Sequence, residues 1–329
     1  VDRTLLEVKD LRTYFFTKRG VVKAVDGVNF SLKKGETLGL VGESGCGKTI
    51  TCLSLVRLVP QPAGRIVGGR MIFEGEDLLR KSEKEMRLIR GSKISMILQD
   101  PMTSLNPVFT IGEQVAEPIR LHQLLRGTKV WEKVKEMLRL VRIPSAETRI
   151  REYPHQMSGG MRQRIVGAIA LSCQPKLLIA DEPTTALDVT IQAQFLRLLK
   201  EIQQNFELSM ILITHDLGVV SRVCDKVAVM YAGKIVETAE IRELFNNPSH
   251  PYTIALMSSL PNIDRKREML QTIEGQPPDL SNLPPGCAFA VRCPNRMEIC
   301  SGRYPPEVGV GDGHYVSCWL STPEAQSHG

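Results

Sequence analysis

Short segments of alternating apolar and polar residues at 5–8, 21–25 and 27–32 predict β-strands, and their closeness along the chain predicts a small antiparallel layer. Lys33, Lys34 and Gly35 break that pattern before a continuously apolar run at 37–41, which reads as a strand buried on both faces. A helix follows from Lys48 through Ser54 and Leu58 until Pro60, Pro62 and Gly64 stop it. Residues 71–73 resume a strand, 84–90 form a charged helix, and 92–98 form another strand that ends at Gln99. From 111 to about 151 the apolar period becomes three and four: Ile111, Val115 and Ile119, then Val130, Val134, Met137, Leu138 and Val141, mark an inserted helical layer. A helix over 160–173 leads through Pro175 into a strand at 176–180. Helix 191–205, strand 209–213, a helix after Asp216 and strands at 227–230 and 234–236 complete the pattern. Strand and helix alternate as in a parallel sheet covered on both faces. After about Pro251 the chain turns to Pro277, Pro278, Pro284, Pro285, Pro305 and Pro306, with too few apolar residues to build much of a core.

The 329 residues accommodate one large domain plus an extension, or two ordinary domains, and carry no internal repeat. The formal charge of +6 changes little, because Lys and Arg are interleaved with Asp and Glu along the whole length. Six Tyr, nine Phe and two Trp are scattered and offer no stacking platform, so nucleic acid is not an expected partner. No run approaches the roughly 18 apolar residues of a membrane span, and the N-terminus lacks a secretory signal. The expected compartment is the cytoplasm, where thiols stay reduced. Of eight cysteines, Cys46, Cys52, Cys173 and Cys224 are dispersed, whereas Cys287, Cys293, Cys300 and Cys318 crowd together near the end.

The candidate chemistry lies between strands and helices. Gly42, Glu43, Ser44, Gly45, Cys46, Gly47, Lys48 and Thr49 satisfy GxxxxGK[ST] and stand between an apolar strand and a helix. Glycine-rich backbone can turn its N–H groups inward as a cradle for polyphosphate, with the helix dipole aimed at the same anion. Lys48 would reach the β and γ phosphates, and Thr49 would place its hydroxyl on Mg²⁺. The strand ending in Asp181 and Glu182 puts two carboxylates at the C-terminal edge of a parallel sheet. Asp181 suits the Mg²⁺ shell, and Glu182 is placed to polarise an attacking water. Gln99 and His215 also end strands; either could reach that edge, and a histidine there can equally be structural. Ser158, Gly159 and Gly160 precede a helix carrying Arg162 and Arg164, a second anion-binding helix terminus.

Taken in order, these residues resemble the nucleotide-binding subunit of an ABC transporter over about 5–250. The matching motifs are the phosphate loop, Gln99, a signature from Met157 to Met161, the Asp181–Glu182 strand, the loop Ala186, Leu187, Asp188, and His215. The signature reads MSGGM where the family usually has LSGGQ. The resemblance implies an α/β fold: a P-loop NTPase (RecA-like) core with an antiparallel β subdomain and an α-helical subdomain inserted at about 105–170. It implies ATP held between two cassettes, by the phosphate loop of one and the signature of the other. Nucleotide contacts would come from Thr51, Asp188 and Ser158 to Gly160, besides the loop, and Gln99 would share the Mg²⁺. Glu182 would be the base and His215 a γ-phosphate contact. Phe15 best matches the adenine-stacking aromatic, with Tyr14 and Phe16 as neighbouring alternatives.

His250, Pro251, Tyr252, Thr253, Leu256, Leu260 and Pro261, followed by the cysteine tail, narrow the resemblance to bacterial dipeptide and oligopeptide importers, whose relatives move nickel. It implies a cassette over 1–250 and an importer-type extension over 251–329, peripheral to the cytoplasmic face of the membrane. Partners would be two transmembrane permease subunits, a second related ATPase subunit as heterodimer or a homodimer, and indirectly a substrate-binding protein. The four tail cysteines are separated by five, six and seventeen residues, unlike the paired gaps of zinc ribbons. They suit a [4Fe–4S] cluster or structural Zn²⁺, and relatives with this spacing favour iron and sulfur. Two other classes compete: a soluble ABC ATPase acting on DNA or ribosomes, and a non-hydrolysing regulator. The first usually carries long coiled-coil insertions or two cassettes in one chain; the second would lack Glu182 or His215.

Overall fold

A computed structural model describes residues 4–99, 101–185, 187–259 and 273–323 of the chain. Ala186, Leu260 and Pro261 of the motifs above lie outside these described residues. The strands are β1 Thr4–Thr17, β2 Gly20–Lys33, β3 Thr37–Val41, β4 Gly64–Phe73, β5 Glu76–Asp77 and β6 Ile94–Ile97. They continue with β7 Leu177–Asp181, β8 Ser209–Thr214, β9 Lys226–Tyr231, β10 Lys234–Glu240, β11 Val308–Gly311 and β12 His314–Val316. The contact pattern separates two compact units, and each is built from non-contiguous pieces. This division differs from a cut near residue 250, because the tail falls in the same unit as the phosphate loop.

One unit comprises Lys33–Glu36 and Arg80–Leu212. Here β8, β7 and β6 lie side by side, and β6 and β7 pair in parallel from Ile94 with Leu177 to Ile97 with Ala180. Every residue of β7 and β8 is buried, as the apolar runs require of strands covered on both faces. The helices Ile111–His122, Thr128–Leu140 and Gly159–Leu171 form the expected helical layer, and Val130, Val134, Met137 and Leu138 are the buried positions of the second. Thr110 and Glu113 start the first helix with a reciprocal cap, each side chain bonded to the other's backbone N–H.

The second unit holds Thr4–Leu32, Thr37–Leu79 and the described residues from Ile213 onward. Its antiparallel sheet runs β2-β1-β4-β5. The strands β1 and β2 are each 14 residues long rather than the short pieces expected. A register shift between Lys9 and Thr13, with Asp10 at φ 48°, interrupts the alternation that would have revealed β1 as one strand. The other strands follow the order β11-β12-β10-β9-β3, with β3 parallel to β9 and the rest antiparallel.

The described residues of the tail carry secondary structure that their composition did not indicate. The tail forms the helix Pro251–Ser258, and its strand β12 pairs with β10 through Glu237 opposite Val316 and Thr238 opposite Tyr315. An open edge on β10 needs a backbone partner, and the tail supplies it. Trp319, Ala290 and Cys300 make a small core, with Cys287 and Met297 packed against it.

Candidate active site

The phosphate loop leaves the end of β3 and enters the helix Lys48–Leu55. Its backbone demands glycine at two positions. Gly42 has φ 152° and Gly47 φ 106°, and a Cβ would meet the carbonyl oxygen of Met230 at 2.2 Å or of Ala24 at 2.1 Å. Gly47 caps the helix without a side-chain bond, so the first-turn N–H groups face no competing side-chain acceptor there. From below, the N–H of Gly233 donates to the Cys46 carbonyl at 2.9 Å. Lys48 is 5% exposed, and its Nζ donates to the carbonyls of Gly42 and Glu43, both at 2.8 Å. Ser44, Gly45 and Thr49 are exposed on the loop. His215 is exposed just past β8 in the same unit.

Thr51, expected as a nucleotide contact, is fully buried. Its hydroxyl donates to the Gly47 carbonyl at 3.0 Å, which props the loop from behind and turns the group away from any ligand on the outer side. On β1, Thr13 bonds Ser54 of the loop helix at 2.8 Å, and Phe15, two residues on, shares the Thr13 face of the strand. Tyr14 is held instead by Asp26, to which its hydroxyl donates at 2.6 Å, and Phe16 lies under the Arg65 guanidinium.

The other unit places Gln99, Asp181 and Glu182 together at the end of β6 and β7. Asp181 is 2% exposed. Glu182 leaves the strand at φ 43°, and its Oε2 accepts from Gln99 Nε2 at 3.0 Å and from Thr185 Oγ1 at 2.9 Å. Two neutral donors thereby help to fix the direction of the carboxylate. Sequence reasoning missed Thr185; the only signal was its position three residues after Glu182.

Ser158 caps the helix Gly159–Leu171, its Oγ accepting the N–H of Met161 at 3.4 Å, and Asp188 caps the helix Val189–Phe206 through the N–H of Ile191 at 3.0 Å. A Cβ on Gly160 would stand 2.7 Å from the Ile191 side chain, so any larger residue would force Ile191 to shift where the two helices meet. Arg162 donates to the Pro154 carbonyl, and Arg164 to the Arg142 carbonyl and Gln194.

The four tail thiols line one small cavity with Trp319 and His250. All eight cysteines are free thiols. Among the described residues no three His, Cys, Asp or Glu side chains stand arranged to hold a metal ion. Burial pushes the Cys287 thiol up to about 11 and the Cys318 thiol up to about 12, so bare thiols there stay protonated. Backbone N–H groups of Phe289 and Ala290 oppose that shift at Cys287, as do Asn295 at Cys293 and Leu320 at Cys318.

Comparison with known proteins agrees with this architecture. The family described as ABC transporter matches residues 25–185, and the one described as oligopeptide/dipeptide transporter, C-terminal region, matches 236–300. The dipeptide transport ATP-binding protein DppD of Bacillus subtilis is 53% identical over 98% of this chain and 96% of its own. The oligopeptide transport ATP-binding protein OppD of Salmonella typhimurium is 49% identical over 97% and 95%. Among solved structures, a dimeric ATP-binding cassette in a post-hydrolysis state with ADP and phosphate superposes with a TM-score of 0.65. It covers 72% of this chain and 99% of that one, and at 23% identity this is a likeness of fold. Protein cbiO1 of Clostridium perfringens, part of a transporter complex, gives 0.63 at 26% identity over 75% and 92%. The chain therefore has the ABC ATPase cassette fold and belongs to the family of ATP-hydrolysing subunits that power dipeptide and oligopeptide ABC transporters.

Proposed function

We propose that this chain hydrolyses ATP with Glu182 as the general base, and that ATP-driven pairing of two cassettes drives import of di- or oligopeptides. The observation that carries the reading is the carboxylate of Glu182, fixed by Gln99 and Thr185 at the end of a fully buried strand. A carboxylate so held can take the proton of an attacking water while its direction stays constant. Lys48 supplies the cation for the β and γ oxygens, and the first-turn N–H groups after Gly47 receive the polyphosphate. Phe15 stacks on adenine, since it shares a strand face with Thr13 and its contact to the loop helix. His215 contacts the γ-phosphate. Ser158, Gly159, Gly160 and Asp188 serve the nucleotide of the facing cassette, which is a related chain or a second copy.

Thr49, Asp181 and Gln99 are the oxygen donors assigned to Mg²⁺, a hard-ligand set appropriate to that ion. When bound, it neutralises charge on the transferring phosphoryl group. Cys287, Cys293, Cys300 and Cys318 are assigned to a [4Fe–4S] cluster, with Zn²⁺ as the alternative. Supporting this are four thiols around one cavity and backbone N–H groups directed at three of the sulfurs, donors that would remain for thiolate ligands once a metal had displaced the protons. When bound, such a group cross-links the tail. Permease subunits and a substrate-binding protein complete the importer, and this subunit works at the cytoplasmic face of the membrane. No helix among the described residues is long and apolar enough to cross it.

Glu182→Gln tests the assignment. Steady-state phosphate release is expected to fall at least about a hundredfold while ATP is retained and a cassette dimer accumulates with Mg²⁺ and ATP. A rate within a few fold of wild type, or a variant that stays monomeric both alone and with a related subunit, rejects the reading.

A further inference from the structure

Glu43 places a carboxylate inside the loop that receives polyphosphate, and like charge at close range is adverse to binding. That carboxylate is committed to a distant partner. Arg292 Nη1 donates to Glu43 Oε2 at 2.7 Å and Nη2 to Oε1 at 2.9 Å, a two-pronged pair between residues 249 positions apart. The Arg292 side chain is 4% exposed. Its remaining donors are spent on the carbonyl oxygens of Glu274 at 2.9 Å and Ile273 at 3.3 Å and on the Tyr231 hydroxyl at 3.3 Å. The guanidinium therefore has one geometry, set by the tail. The backbone of Glu43 is held as well: its N–H donates to the Tyr252 hydroxyl at 2.8 Å. Tyr252 is fully buried and packs on Tyr231 and Phe289, with ring centroids 4.6 and 5.4 Å away.

We propose that Arg292 is a positioning residue for the phosphate loop, orienting and neutralising Glu43 so that the loop accepts ATP. This rests on the reading of residues 42–49 as the ATP site. A buried ion pair gives little stability over an apolar replacement, whereas stranding one member leaves an uncompensated charge. At this position the stranded charge is a carboxylate beside the polyphosphate. The tail thus sets the electrostatics of a nucleotide loop that precedes it by more than two hundred residues.

The experiment displaces a fluorescent ATP analogue with Mg-ATP on the full chain and measures ATPase kinetics in parallel. Arg292→Leu is expected to weaken ATP binding about tenfold, seen as a larger change in KM than in kcat. Adding Glu43→Gln removes the stranded carboxylate and recovers most of that loss; if Arg292 served packing alone, the double variant would bind as weakly as the single. Arg292→Lys keeps the charge without the fork and gives a folded comparison if the leucine variant does not accumulate, with a loss of about threefold that Glu43→Gln again relieves. Wild-type affinity in both arginine variants overturns the proposal, and so does a loss that Glu43→Gln leaves in place. Lys48→Ala separates the two levels: retained binding there means the loop is not the ATP site. Lost binding there beside intact Arg292 variants defeats the positioning role alone.

Discussion

Glu182 adopts φ 43°, a region that costs a residue bearing a Cβ about 1 kcal/mol. The cost is accepted where the turn after β7 brings the carboxylate onto Gln99 and Thr185. Removing the hydroxyl alone tests how much that orientation matters. Thr185→Val is expected to lower kcat about tenfold with the ATP KM changed less than twofold, since the group aligns the base rather than the nucleotide; phosphate-release kinetics measure both. A full-rate variant would mean that Thr185 is not needed to hold Glu182. The carboxylate pair was legible because it ends an apolar strand. Thr185 was not, because a threonine in a turn has no periodicity, and its role arises only from how the backbone folds back.

Among the elements, β10 attaches the tail both through its edge and through a side chain. Glu237 on this strand has a fully buried side chain, and it accepts from the N–H groups of Ser249 at 2.7 Å and His250 at 2.9 Å. It is also paired with His314 of β12 at 2.8 Å. One carboxylate thereby ties the strand, the start of the helix Pro251–Ser258 and the tail hairpin. Glu237→Leu leaves three donors, two of them on the buried residues His250 and His314, without that acceptor and is expected to destabilise the protein by about 3 kcal/mol, read as a lower denaturant midpoint. A shift of less than about 0.5 kcal/mol would show that the tail docks without this anchor. The helical layer needed no such tertiary knowledge, since Val130, Val134, Met137 and Leu138 recur at helical spacing and are the buried face. The tail strands were missed because Val308–Gly311 is glycine-interrupted and His314–Val316 is only three residues long; β12 pairs on the edge of β10, and β11 pairs on β12.

At the scale of the whole molecule, the described tail has a core of only a few side chains, so a bound metal is expected to contribute much of its order. Anaerobically purified protein is expected to be brown, with absorbance near about 400 nm and bound iron. Stripping the metal is expected to expose the segment around Cys287 to Cys318 to limited proteolysis. A colourless, zinc-containing sample rejects the iron assignment, and an equally resistant tail after metal removal rejects its structural role. The same segment carries Arg292, beside Cys293, so the tail that a metal would stiffen is also the one that reaches Glu43.

The amino-acid order by itself determined the phosphate loop, the strand ending in Asp181 and Glu182, the capped helix at Ser158 and the helical layer. Each of these depends on backbone conformation, burial period or charge within a few residues, which local sequence encodes directly. Tertiary structure alone decided that Thr51 faces inward and that Arg292 and Tyr252 close on Glu43. Those outcomes pair groups far apart in the chain or choose one direction for a side chain. Packing settles such choices once every buried donor, acceptor and charge has to find a partner.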